Sequence, residues 1–392
     1  MLIVINCGST SIKYELFSDL ESVAEGVVGD IGEADSYVAH SVDGEEITEE
    51  RSVETHREGM GVVLEYVTHG RHGILDGKGG IDAVGHRVVH GGDLAEPRVV
   101  DESVKETIRE HVPVAPLHNP ANLEGIEAME ARLPDVPQVA VFDTAFHQTL
   151  PPEAYLYALP YRFYEEHGVR RYGFHGISHG YVSERAAEML DREIEGTNLV
   201  TCHLGGGCSV AAVEGGRSVD TSMGFSPLEG VVMATRTGDV DPTVVEYLVE
   251  TLGMDLDAVF EMLNKESGLA GLSGISGDMR EILTAREDGN ERADLAVRTF
   301  AYSVKQRIGA YAATLGEVDA LVFTAGIGEN VPLVRELAGD LPILGAEVDP
   351  ERNESVVGEP GVVSTEGSDV DVLVVPTDEE LRIARQTAAL LE

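Results

Sequence analysis

The chain contains no apolar run approaching the length of a membrane-spanning helix, and its amino terminus enters a strand without the basic segment of a secretory signal. Both absences lead us to expect a cytoplasmic protein with no membrane partner. Its three cysteines, Cys7, Cys202 and Cys208, form no C-x-x-C pair and leave an odd count. Neither a disulfide framework nor a zinc site is suggested, and reduced, packed thiols are expected. Basic residues are scarce: five lysines stand among 28 lysines and arginines, against 70 acids, for a net charge of −42. The acids are scattered rather than blocked, as in EEITEERSVETHREG and GEVDALVF. They read as a solvated acidic shell, which excludes nucleic acid as a partner and suits a halophile's salt-rich cytoplasm, where screening relieves self-repulsion. Two common phosphate motifs are also missing. Gly73-x-x-x-Gly77-Lys78 is one residue short of a P-loop and continues into Gly79, and no G-x-G-x-x-G follows a strand.

What the chain does have is an echo. LIVINCGSTSIK near the start returns as LVTCHLGGGCSV some two hundred residues later, each an apolar run that breaks into small residues and resumes. In the first copy Ile3 to Ile5 read as a buried strand, Gly8 permits a tight reversal, and Ser9, Thr10 and Ser11 offer hydroxyls before Ile12. In the second, Leu199 to His203 run into Gly205-Gly206-Gly207. A hairpin tip without Cβ atoms lets backbone N–H groups approach an anion closely, as a phosphate cradle requires. Either copy alone also reads as an ordinary hairpin; two copies favour an internally duplicated nucleotide-binding protein.

With 392 residues, 43% of them hydrophobic, the chain can bury a large core and divide into two domains. Residues 1–150 read as strands followed by alternating helices and strands, ending in Val139-Ala140-Val141-Phe142 with Asp143 at the strand's end. From Leu199 the pattern repeats: hairpin strands to about Val219, helices between Pro242 and Leu315, then the strand Ala320 to Phe323 running into Gly326-Ile327-Gly328. A last strand, Val370 to Val375, precedes a helix over 378–391 whose Leu381, Ile383, Ala384, Ala388 and Leu391 should pack back on the first domain. The expected division is 1–150 plus about 378–392, against 151–377.

Three loops carry chemistry-bearing residues. Gly85-His86-Arg87-Val88-Val89-His90-Gly91-Gly92 places an arginine at a strand that stops at paired glycines, where it would hold a carboxylate bidentately or form a structural salt bridge. Ala234-Thr235-Arg236-Thr237-Gly238-Asp239 offers a second arginine, and Tyr172-Gly173-Phe174-His175-Gly176 a histidine between glycines.

In chain order, NCGSTSIK, GHRVVHGG, PLHNPAN, VFDTAFH, RYGFHGISH, SMGFSPLEG, TRTGDVDP, FTAGIGEN and PTDEE closely resemble the motifs of the acetate kinase family, within the actin, hexokinase and Hsp70-like superfamily. The resemblance implies an α/β fold of two duplicated actin-like (ribonuclease H-like) ATPase domains with a cleft between them, a homodimer, and reversible phosphoryl transfer between ATP and acetate. It assigns Asn6 and Glu379 to Mg²⁺, or Mn²⁺ in its place, and Lys13 with Ser9 and Ser11 to the nucleotide phosphates. Arg87 would bind the substrate carboxylate. Asp143 would be the catalytic carboxylate, with His175 and Arg236 stabilising the phosphoryl group in transit. His203, Leu204, Gly205, Gly206 and Gly207 resemble the phosphate loop, Asp278, Met279 and Arg280 the base side, and Gly326, Ile327, Gly328, Glu329 and Asn330 the adenosine loop. Val89, Leu117, Phe174 and Pro227 resemble the methyl pocket.

Acetate is already an anion, so the nucleophile needs no deprotonation and two anions must be brought together. Positive charge is the catalyst, and Asp143 is better suited to positioning or to a metal-bound water than to proton abstraction. The chain departs from the family in two places. Gly206 stands where H-L-G-N-G is usual, which resembles butyrate kinases, and Asp378 stands where Asn is usual, adding negative charge beside Glu379. SPLEG and TRTGDVDP favour acetate or propionate over butyrate. One rival from another class is a nucleotide-gated binding protein of the same superfamily, which would need no carboxylate clamp such as Arg87.

Overall fold

The computed structural model describes residues 1–42, 44–68, 73–75 and 77–392. They form two compact units, Met1–Gln148 with Asp378–Glu392, and Thr149–Thr377.

The first unit is built on one mixed sheet. Its strands are β1 (Leu2–Cys7), β2 (Ile12–Ser18), β3 (Glu21–Gly29), β4 (Tyr37–Val42), β5 (Glu45–Glu50), β6 (Ala83–Val88), β7 (Arg98–Val99) and β8 (Gln138–Phe142), in the order β5-β4-β3-β2-β1-β6-β8-β7. In β2 alternation sets the faces: Ile12, Tyr14 and Leu16 are buried while Lys13 is exposed. β1 lies between antiparallel β2 and parallel β6, so its apolar run is nearly continuous. The helices His56–Thr68 and Asn119–Arg132 contribute Met60, Val63 and Met129 to a core shared with Ile3, Ile5 and Ile12.

The carboxy-terminal helix Glu379–Leu391 belongs to this unit, but its buried face differs from the one expected. Ile383, Ala384 and Thr387 are buried, whereas Leu391 is exposed. The reason lies at Gly85 of β6, where a Cβ would meet Thr387 Oγ1 at 2.6 Å and Ile383 Cγ2 at 2.8 Å. Without that side chain the helix settles directly on the strand, and its last turn runs past the sheet.

The second unit repeats the scheme with β9 (Asn198–Leu204), β10 (Cys208–Glu214), β11 (Arg217–Thr221), β12 (Ala320–Thr324), β13 (Gly361–Val362) and β14 (Asp371–Val374), ordered β11-β10-β9-β12-β14-β13. In both units an antiparallel three-strand meander is followed by two strands parallel to its first: β3-β2-β1-β6-β8 in one, β11-β10-β9-β12-β14 in the other. The sequence echo is the β1–β2 and β9–β10 turns of these repeated meanders. The long helix Glu291–Leu315, capped by Asn290, buries Val297, Phe300, Val304 and Ile308 at helical spacing. Two local readings change. The last strand begins at Asp371 rather than Val370, and Gly326 to Gly328 are not a loop but the first turn of the helix Ala325–Asn330.

Among the described residues no helix is long and apolar enough to cross a membrane. Cys7, Cys202 and Cys208 are free and buried, and burial pushes the Cys208 thiol up to about 12.

Candidate active site

In the first unit Arg87 and Asp143 sit at the carboxyl ends of neighbouring parallel strands, β6 and β8, where an open α/β sheet ordinarily places its ligands. Arg87 Nη2 donates to Asp143 Oδ2 at 2.8 Å, and Nε faces both carboxylate oxygens at 3.2 and 3.3 Å. Its Nη1 lies 3.5 Å from Glu379 Oε2 and 3.5 Å from Asn6 Oδ1. One guanidinium therefore gathers three of the expected site residues, and of the two readings of Arg87 the structure shows the salt bridge, to Asp143. Burial works against its charge, but Asp143 and Glu379 outweigh that and hold it more firmly protonated than a free arginine. Burial likewise raises the Asp143 carboxyl, with Arg87 pulling it back. It pushes Glu379 up to about 7, opposed by Arg87 and reinforced by Asp143.

Glu379 Oε1 is buried and accepts no hydrogen bond. With Asn6 Oδ1 and the Asp143 carboxylate around the same arginine, it completes an all-oxygen donor set of the kind a hard divalent cation takes. Asp378 does not join that set. Its carboxylate accepts from Leu381 N at 2.8 Å, capping the helix, and it clusters with Glu15 and Glu380 instead of Glu379. The extra charge expected beside Glu379 thus falls at the helix N-terminus, where a carboxylate is favourable.

Lys13 pairs in register with Asn6 across the β1–β2 ladder, so the two side chains share a face. The turn between them is closed by Gly8 N donating to Ser11 O at 2.8 Å; Gly8 is outside the left-handed region, and what its missing Cβ spares is a 3.1 Å contact with Ser11 Oγ. Ser9 is exposed and Ser11 half-buried at this tip. Val89 is half-buried after β6, and Leu117 is 44% exposed ahead of the helix Asn119–Arg132. Asn122 ties these segments together, accepting from Val89 N at 3.0 Å and donating to Cys7 O at 2.9 Å.

In the second unit His175 takes a left-handed conformation, φ 57°, at the start of the helix Gly176–Met189. This uncommon backbone presents the ring sideways, stacked on His203 at 4.2 Å between centroids. A Cβ on Gly207 would lie 3.2 Å from His175 Nε2 and 3.5 Å from Arg236 Nη1, so histidine and arginine converge on the glycine turn between β9 and β10. Arg236 donates to Pro227 O at 3.1 Å and has no carboxylate partner among the described residues. Burial lowers its pKa. The turn thus has a partly desolvated cation beside backbone N–H groups with no Cβ in the way.

Gly206 is exposed, its backbone lies outside the left-handed region, and a Cβ there would meet nothing within 4 Å. Its carbonyl accepts from Ala234 N, joining this turn to the Arg236 loop. Gly205 faces Ala325, 3.6 Å from a built Cβ, which brings the helix Ala325–Asn330 alongside. Gly326 on that helix is exposed with open space around it, and Ile327 and Gly328 are buried. Glu329 turns inward: its Oε1 accepts from Ala325 N at 2.6 Å and Thr377 N at 3.2 Å, so its carboxylate braces the loop. Asp278 caps the helix Met279–Glu287 and pairs with exposed Arg280 at 2.5 Å, while Met279 is buried. Leu204 and Phe174 are likewise buried.

Sequence reading passed over Arg335. It is 0% exposed and donates to the carbonyls of Gly328, Glu329, Asn353 and Val356 and to Asn353 Oδ1, fastening the Ala325–Asn330 helix from behind. An arginine on a short amphipathic helix gives no sequence signal of such burial.

A duplicated meander-plus-parallel sheet, with charged residues at the strand ends and glycine turns at the hairpin tips, defines the actin-like ATPase fold with two α/β domains. Within that fold the chain belongs to the acetokinase family, whose profile matches residues 1–385. It is 50% identical to an acetate kinase of Caldicellulosiruptor saccharolyticus over 396 residues, covering 100% of this chain and 99% of that protein. An acetate kinase of Thermoanaerobacterium thermosaccharolyticum is 48% identical over 396 residues, with the same coverage. Among solved structures, the Porphyromonas gingivalis acetate kinase superposes with a TM-score of 0.94 at 44% identity, covering 100% of this chain and 99% of that one. A propionate kinase from Francisella tularensis subsp. tularensis SCHU S4 gives 0.92 at 38%, covering 99% of each.

Proposed function

We propose that this chain reversibly transfers the γ-phosphoryl group of ATP to acetate, yielding acetyl phosphate and ADP. The observation that carries the reading is the pair His175 and Arg236, converging on Gly207 with no protein carboxylate to neutralise the arginine. They suit the equatorial oxygens of a phosphoryl group in transit, where preorganised positive charge acts most strongly. Arg87 holds the acid's carboxylate while remaining paired with Asp143. Asp143 positions rather than abstracts a proton, because a carboxylate nucleophile has none to lose.

Backbone N–H groups of Gly205 to Gly207 with His203 and Leu204, and the face of Lys13 with Ser9 and Ser11, receive the phosphates. The segments Asp278 to Arg280 and Gly326 to Asn330 hold the nucleoside, with Glu329 serving as a brace. Asn6 and Glu379 hold Mg²⁺ or Mn²⁺, which supplies charge neutralisation to the phosphate oxygens when bound. Val89, Leu117, Phe174 and Pro227 receive the acid's methyl group. The family resemblance further supports a homodimer working in the cytoplasm.

A second reading, with propionate as the acid, is favoured by the likeness to the Francisella propionate kinase. One methylene changes discrimination by only about 1–3 kcal/mol. Acyl hydroxamate formation with ATP, Mg²⁺ and hydroxylamine, run across acetate, propionate and butyrate, decides between them: the highest kcat/KM is expected with acetate. No hydroxamate with any short acid would remove the kinase reading.

A further inference from the structure

Behind His175 lies a chain of fully buried polar side chains that ends in strand β9. His175 Nδ1 is 2.9 Å from Ser209 Oγ, Ser209 Oγ is 2.7 Å from His179 Nε2, and His179 Nδ1 is 2.7 Å from Thr201 Oγ1. Ser209, His179 and Thr201 are each 0% exposed. The Ser209 hydroxyl has one hydrogen and faces two imidazole nitrogens, so it donates to one ring and accepts from the other. For neutral rings the consequence is a lock between the two histidines. If Ser209 donates to His175, then His175 carries its proton on Nε2 and His179 must donate from its own Nε2. If Ser209 donates to His179, both rings are protonated on Nδ1. Mixed tautomers would leave two hydrogens, or none, between Ser209 and a ring.

We propose that Ser209 and His179 are positioning residues which set the tautomer of His175, with the chain running Thr201 O–H to His179 Nδ1, His179 Nε2–H to Ser209 Oγ, and Ser209 O–H to His175 Nδ1. The direction rests on the reading of His175 as a donor to the phosphoryl group. Its Nε2 edge is the one that faces the Gly207 turn, so the hydrogen must be there. The left-handed backbone at His175 aims the ring, and the hydroxyl chain decides which nitrogen donates. His203, stacked on His175, is held by a second chain of the same kind, Nδ1 to Ser178 Oγ at 2.8 Å and Ser178 to Thr377 Oγ1 at 2.8 Å.

The test is two-bond ¹⁵N–¹H correlation on protein labelled with ¹⁵N-histidine, combined with steady-state kinetics. Wild type should show His175 and His179 both in the Nε2–H form. Ser209→Ala should move the His175 Nδ1 resonance to that of an acceptor without a donor. It should also lower kcat at least about tenfold while the KM values for ATP and the acid stay within about twofold. His175 found in the Nδ1–H form, or the two rings in opposite tautomers, would overturn the proposal with no variant needed. So would a Ser209→Ala protein with unchanged kcat and an unchanged His175 spectrum. His175→Ala separates the two layers: an unimpaired kcat there removes the donor reading and with it the direction assigned to the chain, while the wild-type spectrum still reports the lock.

Discussion

Arg87 and Asp143 lie 56 residues apart in sequence, and the arginine reaches its aspartate through two nitrogens, Nη2 at 2.8 Å and Nε at 3.2 Å. Asp143 is 1% exposed and Glu379 stands on the other side of the guanidinium. Removing the cation therefore strands two buried carboxylates, at a cost of about 3–5 kcal/mol for a broken buried pair. Arg87→Ala should lower the melting temperature clearly and raise the KM for the acid. Adding Asp143→Asn should restore most of the stability and none of the KM, as a double-mutant cycle of thermal unfolding and kinetics would show.

Arg236 should behave in the opposite way. It is desolvated and pairs with a carbonyl rather than a carboxylate, so its loss strands no partner charge. For Arg236→Ala an unchanged or higher melting temperature is expected, together with a fall in kcat of about 10²–10³ and little change in the KM for ATP. A variant that unfolds early while turning over normally would contradict both halves.

The Glu379 carboxyl is raised by burial to about 7, above its ordinary 4.5. The folded chain therefore holds this proton more tightly than the unfolded chain, so without divalent metal the stability this group contributes is fully present below about pH 4.5. It falls as pH rises to about 7 and is flat beyond. Glu379→Gln should raise the melting temperature at pH 8 and leave it nearly unchanged at pH 5. In wild type, Mg²⁺ binding below pH 7 should release protons, measurable by calorimetry in buffers of different ionisation enthalpy.

Because Gly206 needs no left-handed backbone and has open space where a Cβ would go, Gly206→Ala should be nearly neutral in melting temperature and in ATP affinity. Gly206→Asn adds an amide beside the phosphates and should tighten ATP by at most about 1.5–3 kcal/mol, the range for a hydrogen bond to a charged group. Nucleotide titration of the two variants provides the comparison, and loss of binding in both would mean the turn meets phosphate in another shape.

With a net charge of −42, salt is expected to stabilise the fold. Raising KCl from dilute to molar should increase both melting temperature and activity by screening acid–acid repulsion. A flat or falling melting curve across that range would count against the acidic shell as an adaptation to salt.

How legible the site was depended on where each residue sits. Asp143 stands where an apolar strand ends and the Gly205 to Gly207 turn breaks another, so hydrophobic pattern singles out these positions, whereas Arg87 lies within β6 and is marked by the glycines around it and by the family resemblance. Ser209 and His179 lie inside a strand and a helix and read there as ordinary interior residues; only the packing of that helix on β9, the neighbour of β10, brings them within 2.7 Å. Arg335 misleads more directly, since a charged side chain on a short helix is ordinarily exposed. The same limit applied to Leu391, where periodicity predicted burial and the missing side chain of Gly85 chose Thr387 instead.

The helix that rests on Gly85 is contributed by residues that follow the whole second unit in the chain. All of Thr149–Thr377 is synthesised between the sheet it covers and the helix itself. At about 5–20 residues per second, the face of β6 at Gly85 waits for ten seconds or more without its cover, and Arg87 waits equally long for Glu379. The unit that begins first is therefore completed only after the second has been made, and until then its sheet lacks one cover and Arg87 has Asp143 as its carboxylate partner without Glu379.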